Sequence, residues 1–116
     1  MVTQPTMNHD MQNSFRALAD PTRRMILMHL TNKDMTIGEI TGHFDITRAA
    51  VKKHLTILEQ GKLISVHRNG RERINRLEPR ALKSVSNWVN YFERFWDERL
   101  DKLKNVLETN KDNDND

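Results

Sequence analysis

Three cationic side chains on one predicted helix offer the clearest chemistry in this sequence. Arg48, Lys52 and Lys53 lie in the segment ITRAAVKKHLTILEQGKLI, residues 46–64, in which the first acidic residue is Glu59. Helical spacing gathers them on one side of the helix, because residues three and four positions apart share a face. Arginine bonds paired acceptors bidentately and lysine carries a compact charge, so this set suits phosphates and base edges.

The helix that carries these cations has predicted ends and a predicted buried face. Thr47 caps its first turn, and Gly61 closes it as a left-handed C-terminal residue. With Val51, Leu55 and Leu58 facing the core, the opposite face suits a DNA major groove, where small Ala49 permits close approach. The predicted DNA contacts of this helix are Thr47, Arg48, Ala49, Lys52, Lys53 and Thr56. A solvated basic face with no ligand is the alternative.

A predicted β-hairpin follows this helix, with strands at 63–67 and 71–77 around Asn69-Gly70, a dipeptide typical of hairpin loops. We favour a three-residue loop with Gly70 in a bulge, which places Val66 and Ile74 on one face. A two-residue loop would turn Ile74 to the opposite face.

The hairpin is also rich in arginine, which suits a wing that follows the DNA backbone or probes a minor groove. Its predicted DNA contacts are Arg68, Arg71 and Arg73. Protection of an edge strand against aggregation is the alternative function for these charges. Over residues 47–83 ten Lys or Arg stand against three acids, a net charge of +7, whereas the whole chain carries +3. This uneven distribution indicates a polyanionic partner.

The surrounding elements form a recognisable order. Helices are predicted over 9–18, from Asp20-Pro21 to Leu30, and over 37–43, where Thr36 and Glu39 make a capping box. The short helix and the basic helix, joined by a tight turn, match the helix-turn-helix pattern. We therefore predict a mainly α fold with a two-stranded β wing, a winged helix-turn-helix that ends in a long C-terminal dimerisation helix.

That last helix, predicted over 80–107, carries more apolar surface than a small core can cover. The apolar residues follow a nearly heptad stripe with one shift of register, and a symmetry mate would cover them. The predicted dimer interface comprises Met11, Phe15, Leu82, Val85, Val89, Phe92, Trp96, Leu100 and Leu103. We expect one domain over 9–107, a flexible N-terminus over 1–8 and a disordered acidic tail over 108–116.

Several classes of function are disfavoured by composition. The chain has no cysteine, which excludes disulfides, thiolate metal sites and cysteine nucleophiles. It shows no nucleophile elbow, phosphate-binding glycine loop or clustered carboxylate pair, so we expect no enzyme, no cofactor and no metal site. No secretion signal or apolar run of about 20 residues is visible, which predicts a cytoplasmic protein with no membrane partner.

Taken together, FRALADPTRRMIL, VKKHLTILEQGKLI and HRNGRERINRL resemble the ArsR-type winged-helix repressors over about residues 12–107. The resemblance implies a homodimeric bacterial transcriptional repressor, paired through the first and last helices. Metal-sensing members carry a Cys-x-Cys-type motif before the recognition helix, but the segment here, TIGEITGHF, has no thiol. Other members use histidines on the last helix, and 80–107 has none. The segment WVNYFERFWDERLDKL resembles a metal-independent branch of the family.

The hypothesis from sequence is therefore a sequence-specific repressor of its own or a neighbouring operon. It would bind double-stranded DNA as a homodimer, and an effector ligand, a partner protein or simply the protein's own concentration would control relief of repression. The alternative is a protein-interaction winged helix whose basic patch meets an acidic partner.

Overall fold

A computed structural model describes the chain over residues 8–113, with side chains from 8 to 110. Its elements are α1 (His9–Leu18), α2 (Pro21–Leu30), β1 (Met35–Thr36), α3 (Ile37–Thr41), α4 (Arg48–Gln60), β2 (Ile64–Asn69), β3 (Glu72–Leu77), α5 (Pro79–Asn90) and α6 (Glu93–Asn113). They fall into two compact units that divide between Val85 and Ser86. Of the N-terminus predicted as flexible, only Asn8 lies within the described residues.

Short polar side chains begin the helices of the first unit, as their sequence predicts. The Asp20 carboxylate accepts from the Arg23 backbone N–H at 3.0 Å, with Pro21 in the first turn of α2. Thr36 and Glu39 form a reciprocal capping box on α3. The Thr47 hydroxyl accepts from the Ala50 N–H at 3.1 Å. Each contact satisfies an amide that the first turn of a helix leaves without a partner.

The core of the first unit is built from one face of each helix and the inner face of the sheet. From α4 it receives the three predicted residues, Val51, Leu55 and Leu58, all buried. The remaining buried apolar residues are Ala17, Ile26, Leu27, Leu30, Met35, Ile40, Leu63 and Ile64. This burial holds α4 by its apolar face and leaves its other face outside the core.

The sheet has three antiparallel strands in the order β1-β3-β2. β2 and β3 form the predicted two-stranded wing, and β1 adds a third strand that the sequence did not indicate. β1 pairs Met35 with Asn75 and Thr36 with Ile74. A strand of two residues is too short to show an alternating pattern in sequence, which is why it was missed.

The loop of the hairpin is also shorter than predicted. Asn69 pairs with Glu72, so only Gly70 and Arg71 lie between the strands, and Gly70 has a φ of +67°. A positive φ at the first loop residue is typical of a type II′ turn. Ile74 pairs with His67 and therefore lies on the face opposite Val66, which is paired with Asn75. The three-residue loop is wrong, because Asn75 and not Ile74 takes the buried position.

The left-handed residue after α4 is Lys62, with φ of 58°, and not Gly61. The Lys62 N–H donates to the Glu59 carbonyl at 2.9 Å and the Leu63 N–H donates to the Leu58 carbonyl at 3.0 Å, the two bonds of a Schellman motif. Gly61 is required for packing and not for a left-handed backbone. A Cβ there would lie 2.9 Å from the Asn13 carbonyl oxygen of α1, so the glycine permits close packing of α1 on α4.

The single helix predicted for 80–107 is interrupted between Asn90 and Glu93. At the break the Phe92 N–H donates three residues back, to the Val89 carbonyl at 3.0 Å. The Phe92 ring contacts those of Trp88 and Tyr91, with centroids 4.9 and 5.0 Å apart. The apolar stripe continues across this break at steps of three and four residues, so the sequence carries no signal of it and predicts one continuous helix.

α6 also continues to Asn113, so the prediction of a disordered tail is wrong for residues 108–113, and 114–116 lie outside the described residues. The Thr109 hydroxyl donates to the Asn105 carbonyl at 2.9 Å, and Lys104 lies 4.0 Å from Glu108. Extending a helix costs far less than starting one, which explains how a polar segment remains helical here.

Candidate nucleic-acid interface

The exposed face of α4 carries the cations predicted from sequence. Arg48, Lys52 and Lys53 are all exposed, while Val51, on the opposite face, is completely buried. The remaining predicted contacts of this helix, Thr47, Ala49 and Thr56, are exposed as well. The Thr47 hydroxyl already accepts a hydrogen bond as the helix cap. A contact of this residue with DNA would therefore use the rest of its exposed surface.

A buried hydrogen bond to α1 fixes the C-terminal end of α4. The Ser14 hydroxyl, 4% exposed, donates to the Gly61 carbonyl at 2.8 Å. The close approach at Gly61 leaves no room for a larger residue at that position. This contact sets the angle and position of α4, and through them the direction of its cations. Ser14 was not foreseen, since a serine in a helix gives no signal of a partner 47 positions away.

A second set of polar contacts fixes the middle of α4 to α2. The Arg23 guanidinium donates to the Ala17 carbonyl at 2.8 Å and lies 3.3 Å from Nδ1 of His54 on α4. Since a guanidinium only donates, His54 Nδ1 is the acceptor. Asp20 lies 3.9 Å from the same nitrogen. The Arg23 backbone N–H lowers the pKa of the Asp20 carboxyl, and the nearby charge of the Arg23 guanidinium lowers it further.

The wing, residues 64–77, presents its arginines on different sides. Arg68 pairs across the strands with Arg73, on the face that also carries Val66. Arg71 lies in the loop. Arg76 lies on the opposite face, where its guanidinium contacts the Asp34 carboxylate at 2.9 Å. Like charges directly opposite each other destabilise a hairpin, so the Arg68–Arg73 pair indicates an anionic partner.

A cleft between α4 and the wing joins the two cationic surfaces. It encloses about 250 Å³, and we call it the α4–wing cleft. Arg48 and Lys52 line it from the helix and Arg73 from the wing, over the apolar side chains of Leu55 and Val66. The structure thus brings together residues that lie 21 to 25 positions apart in sequence, and gives them one common surface.

Ion pairing separates these cations from others in the same unit. Lys33 contacts Glu39 at 2.8 Å and Lys62 contacts Asp10 at 3.0 Å. By contrast, no ion pair forms within residues 8–110 at the six predicted cationic contacts, Arg48, Lys52, Lys53, Arg68, Arg71 and Arg73. Uncompensated, exposed positive charge of this kind attracts a phosphate backbone and suits bonds to guanine.

The residues predicted to form a dimer interface differ in exposure. In the first unit Met11, Phe15, Leu82 and Val85 are half-buried, and Leu82 packs against the core. In the second unit the exposed fractions are large: Val89 54%, Phe92 39%, Trp96 63%, Leu100 58% and Leu103 55%. This amount of exposed apolar surface over residues 89–103 is typical of a protein-protein interface.

A metal-binding cluster and a membrane-spanning helix are both absent from the part of the chain that the structure describes. Within 8–113 no three His, Asp or Glu side chains approach closely enough to hold a metal ion together. None of the helices in that range combines the length and apolarity that crossing a bilayer requires.

Comparison with known proteins places these features in a family. Residues 18–67 match the model of a helix-turn-helix domain. The chain is 43% identical to the transcriptional repressor SdpR of Bacillus subtilis over 82 residues, which cover 71% of this chain and 91% of that protein. A crystal structure of an ArsR family transcriptional regulator superposes with a TM-score of 0.72 at 30% identity, covering 79% of this chain and 95% of that one.

The fold is shared more widely. A winged helix-turn-helix DNA-binding domain from Mycobacterium bovis, described as homodimeric and as a possible ArsR-family regulator, superposes with a TM-score of 0.57 at 22% identity. It covers 78% of this chain, and this chain covers 82% of it. With the helix-turn-helix, the wing and a relative of 43% identity established, the chain is a DNA-binding transcriptional regulator and not an enzyme, and it belongs to the ArsR family of winged helix-turn-helix proteins.

Proposed function

We propose that this protein is a homodimeric repressor that reads a specific operator through α4 and the wing. The observation that carries the proposal is the shared surface of Arg48, Lys52 and Arg73, exposed and without ion pairs within the described residues. α4 would enter a major groove, where Arg48 and Lys52 reach base edges or phosphates, and the wing would contact the adjacent backbone. The further proposed contacts are Thr47, Ala49, Lys53, Thr56, Arg68 and Arg71.

Dimerisation would follow from the apolar surface around α5 and α6. Trp96 and Leu100 are more than half exposed, and a second copy of the chain is the simplest way to cover them. The homodimeric state of the Mycobacterium bovis relative supports this arrangement. Residues 9–107 would then form the DNA-binding and dimerisation unit of each subunit. A dimer would present two copies of α4, to be read about one DNA turn apart.

Repression is the sign of regulation that the SdpR likeness supports. A bound dimer would exclude polymerase from a promoter, its own or that of a neighbouring operon. We also propose that regulation does not depend on a metal, because the chain lacks the thiol ligands of metal-sensing relatives. Zinc added to the protein–DNA complex should therefore leave the gel shift unchanged, and dissociation of the complex by zinc would contradict this part of the proposal.

The test of the reading surface is a double substitution, Arg48→Ala with Lys52→Ala. Operator fragments are first selected from the genome of the source organism with the unmodified protein. Two lost contacts at base edges should weaken binding to them by about 100-fold or more at physiological salt. A matched control, Lys33→Ala with Arg94→Ala, removes the same charge from residues outside α4 and the wing.

Salt dependence separates the proposal from a protein-interaction function. Binding through several phosphate contacts should give a steep negative slope of log affinity against log salt, and the double variant should lower that slope. If the double variant binds the operator as tightly as the unmodified protein does, α4 is not the reading helix. If the unmodified protein binds no duplex at low salt, the basic surface serves an acidic protein instead.

A further inference from the structure

We propose that the α4–wing cleft is a binding site for a small aromatic carboxylate, and that its occupation releases the protein from DNA. This inference rests on the proposed function, since it concerns the regulation of the same surface. In the expected pose the carboxylate meets the cations at the rim of the cleft, and the ring lies on the apolar side chains beneath them.

The size and the lining of the cleft favour a single ring. Its volume is about 250 Å³, below the usual range of roughly 300–1,000 Å³ for sites that hold drug-sized ligands. Leu55 and Val66 contribute apolar side chains from its two walls, and Ile37 of α3 adds a third. Phosphate contact alone does not call for this apolar lining, whereas an aromatic ring would bury it on binding.

The charge of the cleft favours one negative group on the ligand. Arg48, Lys52 and Arg73 line the cleft together with one acid, Glu59, which leaves an excess of two positive charges in its lining. Neither arginine has an ion pair within the described residues. A guanidinium pairs with a carboxylate through two parallel hydrogen bonds, so Arg48 or Arg73 can hold the ligand in a defined orientation.

One buried side chain offers a second polar contact. Asn75 is only 4% exposed and lines the cleft. Its amide nitrogen donates to the Met35 carbonyl at 3.2 Å, so its amide oxygen is the atom left to accept a hydrogen bond from an occupant. A ring hydroxyl would supply the donor. The ligand class is therefore a hydroxylated aromatic carboxylate, for which 4-hydroxybenzoate is the probe.

Regulation follows because the two ligands would use the same cations. A carboxylate held by Arg48 and Lys52 occupies the side chains proposed to reach base edges. A ligand of ten heavy atoms should bind with a Kd on the order of 1 mM. With the ligand at about ten times its Kd, mutually exclusive binding should weaken operator affinity by at least about tenfold.

The first test is a titration of the unmodified protein with 4-hydroxybenzoate, followed by two-dimensional NMR of the backbone amides. Saturable shifts should cluster at Leu55, Val66 and Asn75. Acetate and inorganic phosphate at the same ionic strength are the controls, and neither should reproduce that cluster. If phosphate shifts the same amides with equal affinity, the cleft is a site for DNA phosphates and not for an aromatic acid. If no saturable shift occurs, the proposal is wrong.

The second test compares two variants of the sheet. Val66→Thr keeps the shape of a side chain in the cleft and replaces a methyl group with a hydroxyl, so the affinity for the probe should fall by about tenfold. Ile74→Thr replaces an ethyl group with a hydroxyl on the opposite face and should leave that affinity unchanged. Equal loss of affinity in both variants would place the site elsewhere.

The third test measures the affinity for the operator with and without the probe. The ratio of the two affinities measures release, and Val66→Thr should bring that ratio closer to one. If the unmodified protein binds no DNA at all, the repressor proposal fails, while the NMR titration still decides whether the cleft takes the ligand. If the ligand binds in the cleft and DNA affinity does not change, the regulatory part of the inference is wrong.

Discussion

The two units of the chain differ in how much of their apolar surface they bury. Among its described residues the first unit buries eleven apolar side chains, with Ile26, Ile40 and Leu58 among the largest. In the second unit, no side chain from 86 to 110 is buried, although Trp96 and Leu100 are strongly apolar. The first unit therefore contains its own core, whereas the second has an exposed apolar surface, which we propose a second copy of the chain covers. Under the proposed dimer, this difference assigns folding and assembly to separate stretches of one short chain.

The largest effect is expected on the dimer dissociation constant, from a substitution in the second unit. Trp96→Glu would leave an unpaired charge in the proposed interface, and should raise the dimer dissociation constant by about 100-fold or more. Sedimentation velocity over a range of concentrations measures it. Lys102→Glu, in the same helix but polar to begin with, should leave the dimer intact. A protein that is monomeric at micromolar concentration before any substitution would remove the basis of the comparison.

A core substitution should affect the first unit in a way that protein concentration does not change. Leu58 is completely buried, so Leu58→Ala should lower the free energy of unfolding by about 2–5 kcal/mol. Leu103→Ala provides the contrast, because Leu103 is 55% exposed and only a partner would bury it. Denaturant unfolding at two protein concentrations separates them: only the effect of Leu103→Ala should grow with concentration. The opposite pattern would reverse the roles of the two units.

A smaller effect is expected where α1 packs on α4. Gly61→Ala places a methyl group 2.9 Å from the Asn13 carbonyl oxygen and 3.1 Å from the Ala17 methyl group. Overpacking at this contact should cost about 1–3 kcal/mol of stability and shift α4. Thermal unfolding measures the cost. Gly38→Ala is a matched control, because a Cβ there meets nothing closer than 3.9 Å. If Gly61→Ala leaves the free energy of unfolding unchanged, α1 can move away from α4 without a loss of stability.

The smallest effect concerns pH and the start of α2. The Arg23 N–H holds the pKa of Asp20 below its ordinary value, so the ionised carboxylate favours the folded state. This contribution is complete above the ordinary carboxyl pKa and is lost as pH falls through the lowered one. Asp20→Asn, which also caps a helix, should therefore flatten the loss of stability below about pH 4. Denaturant unfolding from pH 6 to pH 3 measures it, and identical profiles would show that Asp20 has no such role.

Local signals in the sequence predicted the parts of the fold that depend on near neighbours. The caps at Asp20 and Thr47 and the apolar face of α4 were predicted because each depends on residues within one or two turns. The register of the wing was missed because a buried asparagine broke the apolar pattern. Asn75 is tolerated there since its amide bonds the Met35 carbonyl, 40 positions away.

The same distinction between near and distant neighbours applies to the candidate site. The cations of α4 could be assigned from helical spacing, but the sorting of the wing arginines could not. Arg76 has Asp34 as its partner from another part of the chain, and Arg73 shares a cleft with Arg48. Lys62 shows a further difficulty, because a glycine at the end of a helix suggested the left-handed position that the next residue occupies.

The length of the two-residue loop at Gly70-Arg71 determines on which face of the hairpin Arg73 lies, and therefore whether its charge lines the cleft. Successive residues of a strand point to opposite sides, so inserting one residue into the loop and sliding the pairing by one would move Arg73 away from α4. Insertion of two residues would preserve the alternation. We therefore expect that a hairpin of this kind keeps Arg73 beside Arg48 only when the length of its loop changes in steps of two.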